Sequence, residues 1–292
     1  SNVAKGTKEL RQRITGVQNI QKITRAMEMV ATQKLKRLQG RAESARPYSE
    51  KVQEMVARLA GSVRSDLSPL LEPRDVKRVA NIVISGDKGM CGSYNINITR
   101  KLIDVIPSEP EREHRNIALG RKAVQMLVAR DVTVYQHLDD VVEKLDFIRV
   151  RNIMRELAAS FLEHEVDEVR IVYTAFLSAG KQKTAAVSVL PIEPESLQSD
   201  DEGVAAGADF IIEPDPENLL RDLLPKFLEI KLYSAVLESL ASEFTARRNA
   251  MKQATDAAGD MIDDLTRQYN RARQEAITNE LLEVMGGAEA LK

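Results

Sequence analysis

Residues 227–285 contain no proline and a single glycine, Gly259. At 1.5 Å per residue such a run makes a helical rod of roughly 85–90 Å, longer than any compact globule needs. Stepping from Ile230 by alternate three and four meets Tyr233, Leu237, Leu240, Phe244, Arg247, Met251, Ala254, Ala258, Met261 and Leu265. That is a heptad seam with one polar interruption, Arg247, and a 3.5-residue repeat winds left-handed around a partner helix. The other end of the chain supplies the partner. Residues 7–59 read as a second long helix that tolerates Gly16 and Gly40 and bends at Pro47, where the ring removes a backbone hydrogen bond. Its apolar positions fall in offset runs, Leu10, Ile14 and Val17, then Ile20, Ile23, Met27 and Val30, then Leu35 and Leu38.

Between the helices the pattern changes. Apolar strands "VANIVIS", "NIALG" and "VTVYQ" alternate with helical stretches at 94–106, 121–129 and 146–164, and "VRIVYTAF" and "TAAVSVLPI" follow as two further strands. Continuous apolar strands alternating with amphipathic helices predict a mostly parallel sheet covered on both faces. The expected fold class is therefore α/β: a long antiparallel coiled coil formed by the N- and C-terminal helices, with an inserted Rossmann-like α/β domain. The expected division is 1–60 for the first helix, 61–75 for a linker, 76–192 for the α/β domain, 193–218 for an acidic loop and domain edge, and 219–292 for the last helix.

Charge is placed by region. Residues 1–48 hold eleven Lys or Arg against three acids, and residues 193–218 hold nine acids and no base. The single cysteine, Cys91, excludes an intramolecular disulfide and a Cys-rich metal cluster. No apolar run reaches the roughly 18 residues of a membrane span, and the N-terminus lacks a signal-peptide core, so the chain reads as soluble or peripheral. The loop "SGDKGMCGSYN" at 85–95 follows the first strand and opens a helix, where a phosphate-binding loop would lie. Its spacing, however, is G-x-x-G-x-x-G at Gly86, Gly89 and Gly92, neither the dinucleotide fingerprint nor the Walker pattern. The expectation is a tight turn with glycines at positive φ and, in Cys91, an inert core thiol. His114, His137 and His164 share no metal or catalytic spacing, and no catalytic centre, cofactor site or metal site is readable.

Several blocks, in order, carry a resemblance: "VQNIQKITRAMEMVA" at 17–31, "ARPYSE" at 45–50, "SGDKGMCGSYNINI" at 85–98, "EPDP" at 213–216, "AMKQATDAAGDMI" at 250–262 and "RQEAITNELLEVMGGAEA" at 273–290. Together they make the whole chain resemble the γ subunits of F-type ATP synthases. The resemblance implies a rotor shaft, made of the two terminal helices, that turns inside a ring of three α and three β subunits and has the α/β domain at its foot. Proton flow through a membrane c-ring would turn the foot, and the asymmetric shaft would drive the β sites through ATP synthesis or hydrolysis. The chain itself would be non-catalytic and need no cofactor. Its partners would be α, β, ε and the c-ring, with no nucleic acid and no membrane insertion. It would sit, peripherally, at the cytoplasmic face of a bacterial plasma membrane, with the matrix side of a mitochondrial membrane as the alternative.

Carried over residue by residue, the resemblance implies that Lys22, Arg25, Lys34, Lys36 and Arg37 face the family's acidic β lever loop, with Met27 as adaptable apolar contact. Arg247, Gln274, Thr278 and Glu280 would meet the β catch loops. Leu281, Leu282, Val284 and Met285 would form the bearing tip, and Phe210, Ile212 and Glu213 would dock ε and the membrane ring. Read from residues alone, the basic run is equally a solvated helix face, and Met27 also belongs to the packing stripe. Two other classes remain as alternatives: a nucleotide-binding α/β enzyme using Gly86 to Gly92, and a basic helical nucleic-acid-binding protein with steeply salt-dependent affinity.

Overall fold

The computed structural model describes residues 2–62, 68–193 and 216–289. Helix α1 (Asn2–Ser62) continues through Pro47, and after a 3-10 turn at Pro69–Leu71 the chain enters strand β1 (Arg78–Ile84). There follow α2 (Tyr94–Val105), β2 (Glu113–Leu119), α3 (Arg121–Val128), β3 (Val134–Leu138), α4 (Val141–Lys144) and α5 (Phe147–Leu162). Strands β4 (Glu168–Ser178) and β5 (Lys181–Leu190) precede the last helix, α6 (Pro216–Glu289). The chain divides into two compact units, one of residues 1–33 with 247–292 and one of residues 34–246.

In the larger unit the sheet runs β3-β2-β1-β4-β5, parallel except for the β4–β5 hairpin. The connections explain the layering. From β1 the chain steps outward through α2 and α3, then returns through α5 to the other side of β1, and right-handed crossovers put α5 on the opposite face. Every residue of β1 after Arg78 is buried, as expected of a central parallel strand. Val83, Ala118 and Val172, level with one another across three strands, pack with Tyr94, Ile98 and Leu102 of α2 and Ala123 and Leu127 of α3. Asp146 caps α5 by accepting from the Arg149 N–H. Phe161, fully buried on α5, carries the Arg74 guanidinium 3.9 Å above its ring.

Helix α6 starts at Pro216, three residues before the expected boundary at 219, and continues through Pro225. Proline there forfeits one backbone bond, but Leu220, Leu223, Leu224, Phe227 and Leu228 are all buried around it, and their packing outweighs the loss.

In the smaller unit the two helices are antiparallel. Thr24 Oγ1 and Thr255 Oγ1 are 2.8 Å apart, and Gln21 Nε2, one turn back on α1, donates to Thr255 O at 3.5 Å. A Cβ on Gly259, one turn on along α6, would lie 3.2 Å from Gln21 Nε2, so the lone glycine of the rod admits a polar side chain. The seam differs from the sequence reading. On α1 the 3.5-residue repeat continues from Val17 through Gln21, Thr24 and Ala31, while Ile20, Ile23 and Val30 are 54%, 60% and 52% exposed. On α6, Thr255 and Ile262 keep the repeat, and Met261 is 54% exposed. Hydrophobicity alone misplaced these four positions, while Leu10, Ile14, Val17, Met27, Leu35 and Leu38 of α1 and the rest of the α6 seam are buried or half-buried; small and mutually bonded residues let the backbones approach closely.

Candidate functional site

The loop after β1 lies at the carboxyl end of the sheet, where doubly wound folds bind ligands. Its polar groups are turned inward. Gly86 N–H donates to Asn95 Oδ1 at 2.9 Å, Arg121 N–H to Asp87 Oδ1 at 3.0 Å, and Ala123 N–H to Ser85 Oγ at 2.9 Å. The start of α3, which would otherwise offer donors to a phosphate, is thus met by the Asp87 and Ser85 side chains, and the Gly86 N–H of the loop itself by Asn95 of α2. Of the three glycines only Gly92 takes a positive φ, +57°, a role Met90 shares at 59°. Gly86 serves instead for close approach, since a Cβ there would lie 2.8 Å from Glu243 Oε1 of α6. Cys91 is buried with its sulfur 3.2 Å from Asn95 Nδ2, as a core thiol.

A second feature of the larger unit is a basic pocket of about 240 Å³. Lys34, Arg37 and Arg41 project from α1 and Lys144 from α4, and Leu38, Leu145, Leu240 and Phe244 supply the apolar lining. Glu143 is its one acid. The Glu143 carboxylate accepts from Lys34 Nζ and from Lys88 Nζ, each at 3.0 Å, and Lys34 Nζ lies 5.0 Å from the centroid of the Phe244 ring. Burial raises the Glu143 carboxyl, but the hydrogen bonds and charges of the two lysines outweigh it and hold the group below its ordinary range. Such a pocket presents fixed cations over an apolar floor, which is the chemistry for an acidic segment carrying an apolar side chain.

The sequence-predicted residues separate between the two units. Lys34 and Arg37 meet in the basic pocket, and Lys36, next to them on α1, is exposed. Lys22 and Arg25 are exposed and Met27 half-buried in the smaller unit. Arg247 is buried, 8% exposed, rather than projecting freely from the seam. Gln274, Thr278 and Glu280 are exposed, with Thr278 Oγ1 donating to Gln274 O at 2.9 Å. Leu281, Leu282, Val284 and Met285 are all more than half exposed. Phe210, Ile212 and Glu213 lie outside the described residues. Sequence reasoning missed Arg41, Glu143, Lys144 and Phe244. Arg41 follows Arg37 by one helical turn and was detectable, whereas the short helix carrying Glu143 and Lys144 gave no periodic signal.

Among the described residues no group of three or more His, Cys, Asp or Glu side chains is arranged to hold a metal ion, and no helix is long and apolar enough to cross a membrane. Residues 6–291 match the family model described as ATP synthase. The ATP synthase gamma chain of Moorella thermoacetica is 41% identical over 285 residues, covering 98% of this chain and 99% of that one. That of Halothermothrix orenii is 39% identical over 286 residues, with the same coverage. Among solved structures, a chain of the Euglena gracilis mitochondrial ATP synthase in rotational state 3 matches 99% of this chain and 95% of its own length with a TM-score of 0.69 at 20% identity, a likeness of fold. A chain of the central stalk and c-ring of the Tetrahymena thermophila mitochondrial enzyme matches 80% of this chain with a TM-score of 0.58 at 24% identity. With a family model matched over nearly every residue and full-length relatives at about 40% identity, the chain belongs to the ATP synthase gamma-chain family.

Proposed function

We propose that this chain is the rotary central-stalk subunit that couples transmembrane proton flow to ATP synthesis and hydrolysis. It turns inside a ring of three α and three β subunits and biases each β site through different contacts in turn. The observation that carries this reading is the end-to-end match to gamma chains, 98% of this chain against 99% of a relative at 41% identity. Solved structures of similar fold are described as rotor and central-stalk chains, which supports it. A ring of like sites needs an element without threefold symmetry to step them in order, and a two-helix rod has none.

On this reading the chain is a non-catalytic subunit, peripheral at the cytoplasmic face of the bacterial membrane, with nucleotide and Mg²⁺ chemistry held by its partners. The internally satisfied loop at Gly86 favours that reading over a nucleotide enzyme. Residues 1–60 and 219–292 supply the shaft, and 76–192 the foot. Lys22, Arg25, Met27, Lys34, Lys36 and Arg37 face the acidic β lever loop, with the basic pocket as the receiving point. Arg247, Gln274, Thr278 and Glu280 serve the catch loops and Leu281, Leu282, Val284 and Met285 the bearing. Phe210, Ile212 and Glu213 serve ε and the c-ring.

Co-expression with α and β subunits tests the class: a complex with three α, three β and one copy of this chain is expected, and its absence overturns the reading. Reversing Lys34, Lys36 and Arg37 to Glu tests the face. Assembly or turnover should fall, by less as salt rises; unchanged activity at all salt concentrations would return these residues to a solvated helix surface.

A further inference from the structure

Strand β2 is added on one side of β1 and β4 on the other, so the carboxyl ends of β1 and β4 flank the crevice in which open α/β sheets take up ligands. Here α6 lies in it. Ser239 Oγ accepts from the Thr174 N–H of β4 at 3.3 Å and is 2.8 Å from Tyr94 Oη of α2. One turn on, Ser242 Oγ donates to Thr174 O at 3.2 Å. Beside it Glu243, only 5% exposed, stands over Gly86 so closely that a Cβ on the glycine would sit 2.8 Å from Oε1 and 2.9 Å from Cδ. A carboxylate pressed on the glycine loop after the first strand takes the region that a phosphate takes in nucleotide-binding sheets. The helix is, in effect, the ligand of its own domain.

We propose that Glu243 is a positioning residue that keys α6 into the Gly86 loop, so that the α/β domain and this part of α6 turn as one body. The inference rests on the rotary reading and adds where the foot grips the helix. Ser239 and Ser242 fix the helix along β4 through a single backbone unit, Thr174, which resists sliding. Glu243 engages a different element, the loop after β1, so that two separate elements of the domain hold the helix and oppose its rotation about its axis. Gly86 is the matching half of the key: any side chain at that position pushes the carboxylate out.

The test uses the complete complex, reconstituted in vesicles with α, β, ε and the membrane sector, and compares ATP hydrolysis with ATP-driven acidification. Glu243→Ala and Gly86→Ala should each assemble and hydrolyse ATP within about twofold of the parent, while acidification per ATP falls at least threefold. Glu243→Gln, which keeps the shape and the acceptor oxygen, should retain most of the coupling, and Gly86→Ala with Glu243→Ala should be no worse than either alone. Hydrogen exchange on the same complexes should quicken at 85–92 and 239–246 together. Glu243→Ala complexes that pump as many protons per ATP as the parent would overturn the proposal, as would variants that fail to assemble or exchange faster everywhere, which is the signature of a merely structural residue. A parent complex that hydrolyses ATP without pumping would instead overturn the rotary reading itself.

Discussion

Glu143 makes stability and partner binding move in opposite directions. Its carboxylate is shared by Lys34 and Lys88, each at 3.0 Å, with the three side chains 29%, 42% and 63% exposed. Exposed ion pairs are worth about 0.2–1 kcal/mol each, so Glu143→Gln should destabilise the larger unit by roughly 0.5–2 kcal/mol, a fall in Tm of about 1–8 °C for a unit of this size. The folded carboxyl lies below its ordinary range. Its contribution is therefore fully present above the unfolded value of about 4.3 and is lost as the pH falls through the lower folded value. Parent and variant melting curves should differ at neutral pH and converge under acid.

The same substitution removes the only acid from a pocket lined by Lys34, Arg37, Arg41 and Lys144. One negative charge at about 6–8 Å in water repels an incoming carboxylate by roughly 0.5–0.7 kcal/mol. Binding of a synthetic Glu-rich peptide to the full-length variant should then strengthen about two- to threefold at low salt and match the parent at high salt. Scanning calorimetry from acid to neutral pH, paired with titration of the peptide, measures both signs. Weaker peptide binding together with lower stability would refute the electrostatic argument, since it would mean that Glu143 matters by holding Lys34 in place.

In the smaller unit the Thr24 and Thr255 hydroxyls also reach carbonyls of their own helices, Gln21 O at 3.1 Å and Met251 O at 2.8 Å, so Thr24→Val or Thr255→Val leaves the surviving hydroxyl a partner and should cost about 0.5–1.5 kcal/mol, the loss of one hydrogen bond; a double-mutant cycle in urea reads the coupling between the two. Phe161→Ala empties a fully buried site and takes away the ring beneath Arg74, and should cost about 3–5 kcal/mol by denaturant titration. Glu238 is raised by desolvation, against a backbone hydrogen bond from Phe176 and the charge of Lys231. A carboxyl raised on folding destabilises once ionised, so Glu238→Gln should stabilise the chain at neutral pH, and the gain should vanish as the pH falls below the unfolded carboxyl range.

Much of the fold was legible because it rests on period. The five strands and the three longer helices of the α/β domain appear within a few residues of the expected positions, since buried parallel strands read as apolar runs and their helices as amphipathic ones. What failed did so for identifiable reasons. Helix α4 is four residues long and has no period to detect. Gly86 was read as a turn glycine, but its reason is the carboxylate of residue 243, far away in sequence. The basic residues of α1 were visible one by one, yet only the fold brings Lys144 and Phe244 to Arg37 and Arg41.

The outward Ile20, Ile23 and Val30 of α1 bear on the proposed function. A helix built to stand alone with one partner would turn its largest apolar residues toward it, because each buried Ile, Val or Met side chain contributes about 1.5–3 kcal/mol. Here Gln21, Thr24 and Ala31 hold the inner positions, while Ile20, Ile23, Met29 and Val30 are more than half exposed. Neighbours on one helix that share a partly apolar outer face gain nothing in water, and exposed patches of this kind mark surfaces that meet other molecules. The inner seam sets register through Thr24, Thr255 and the Gln21–Gly259 approach, beside apolar residues such as Val17, Met27, Met251 and Leu265 that are buried or half-buried. The outer face leaves Ile20, Ile23, Met29 and Val30 free to be buried by the ring of the proposed rotary reading. For a rotor this division has a mechanical reason: the two helices must keep one fixed register while the contacts outside them change at every step, so directional hydrogen bonds belong inside and non-directional apolar contacts outside.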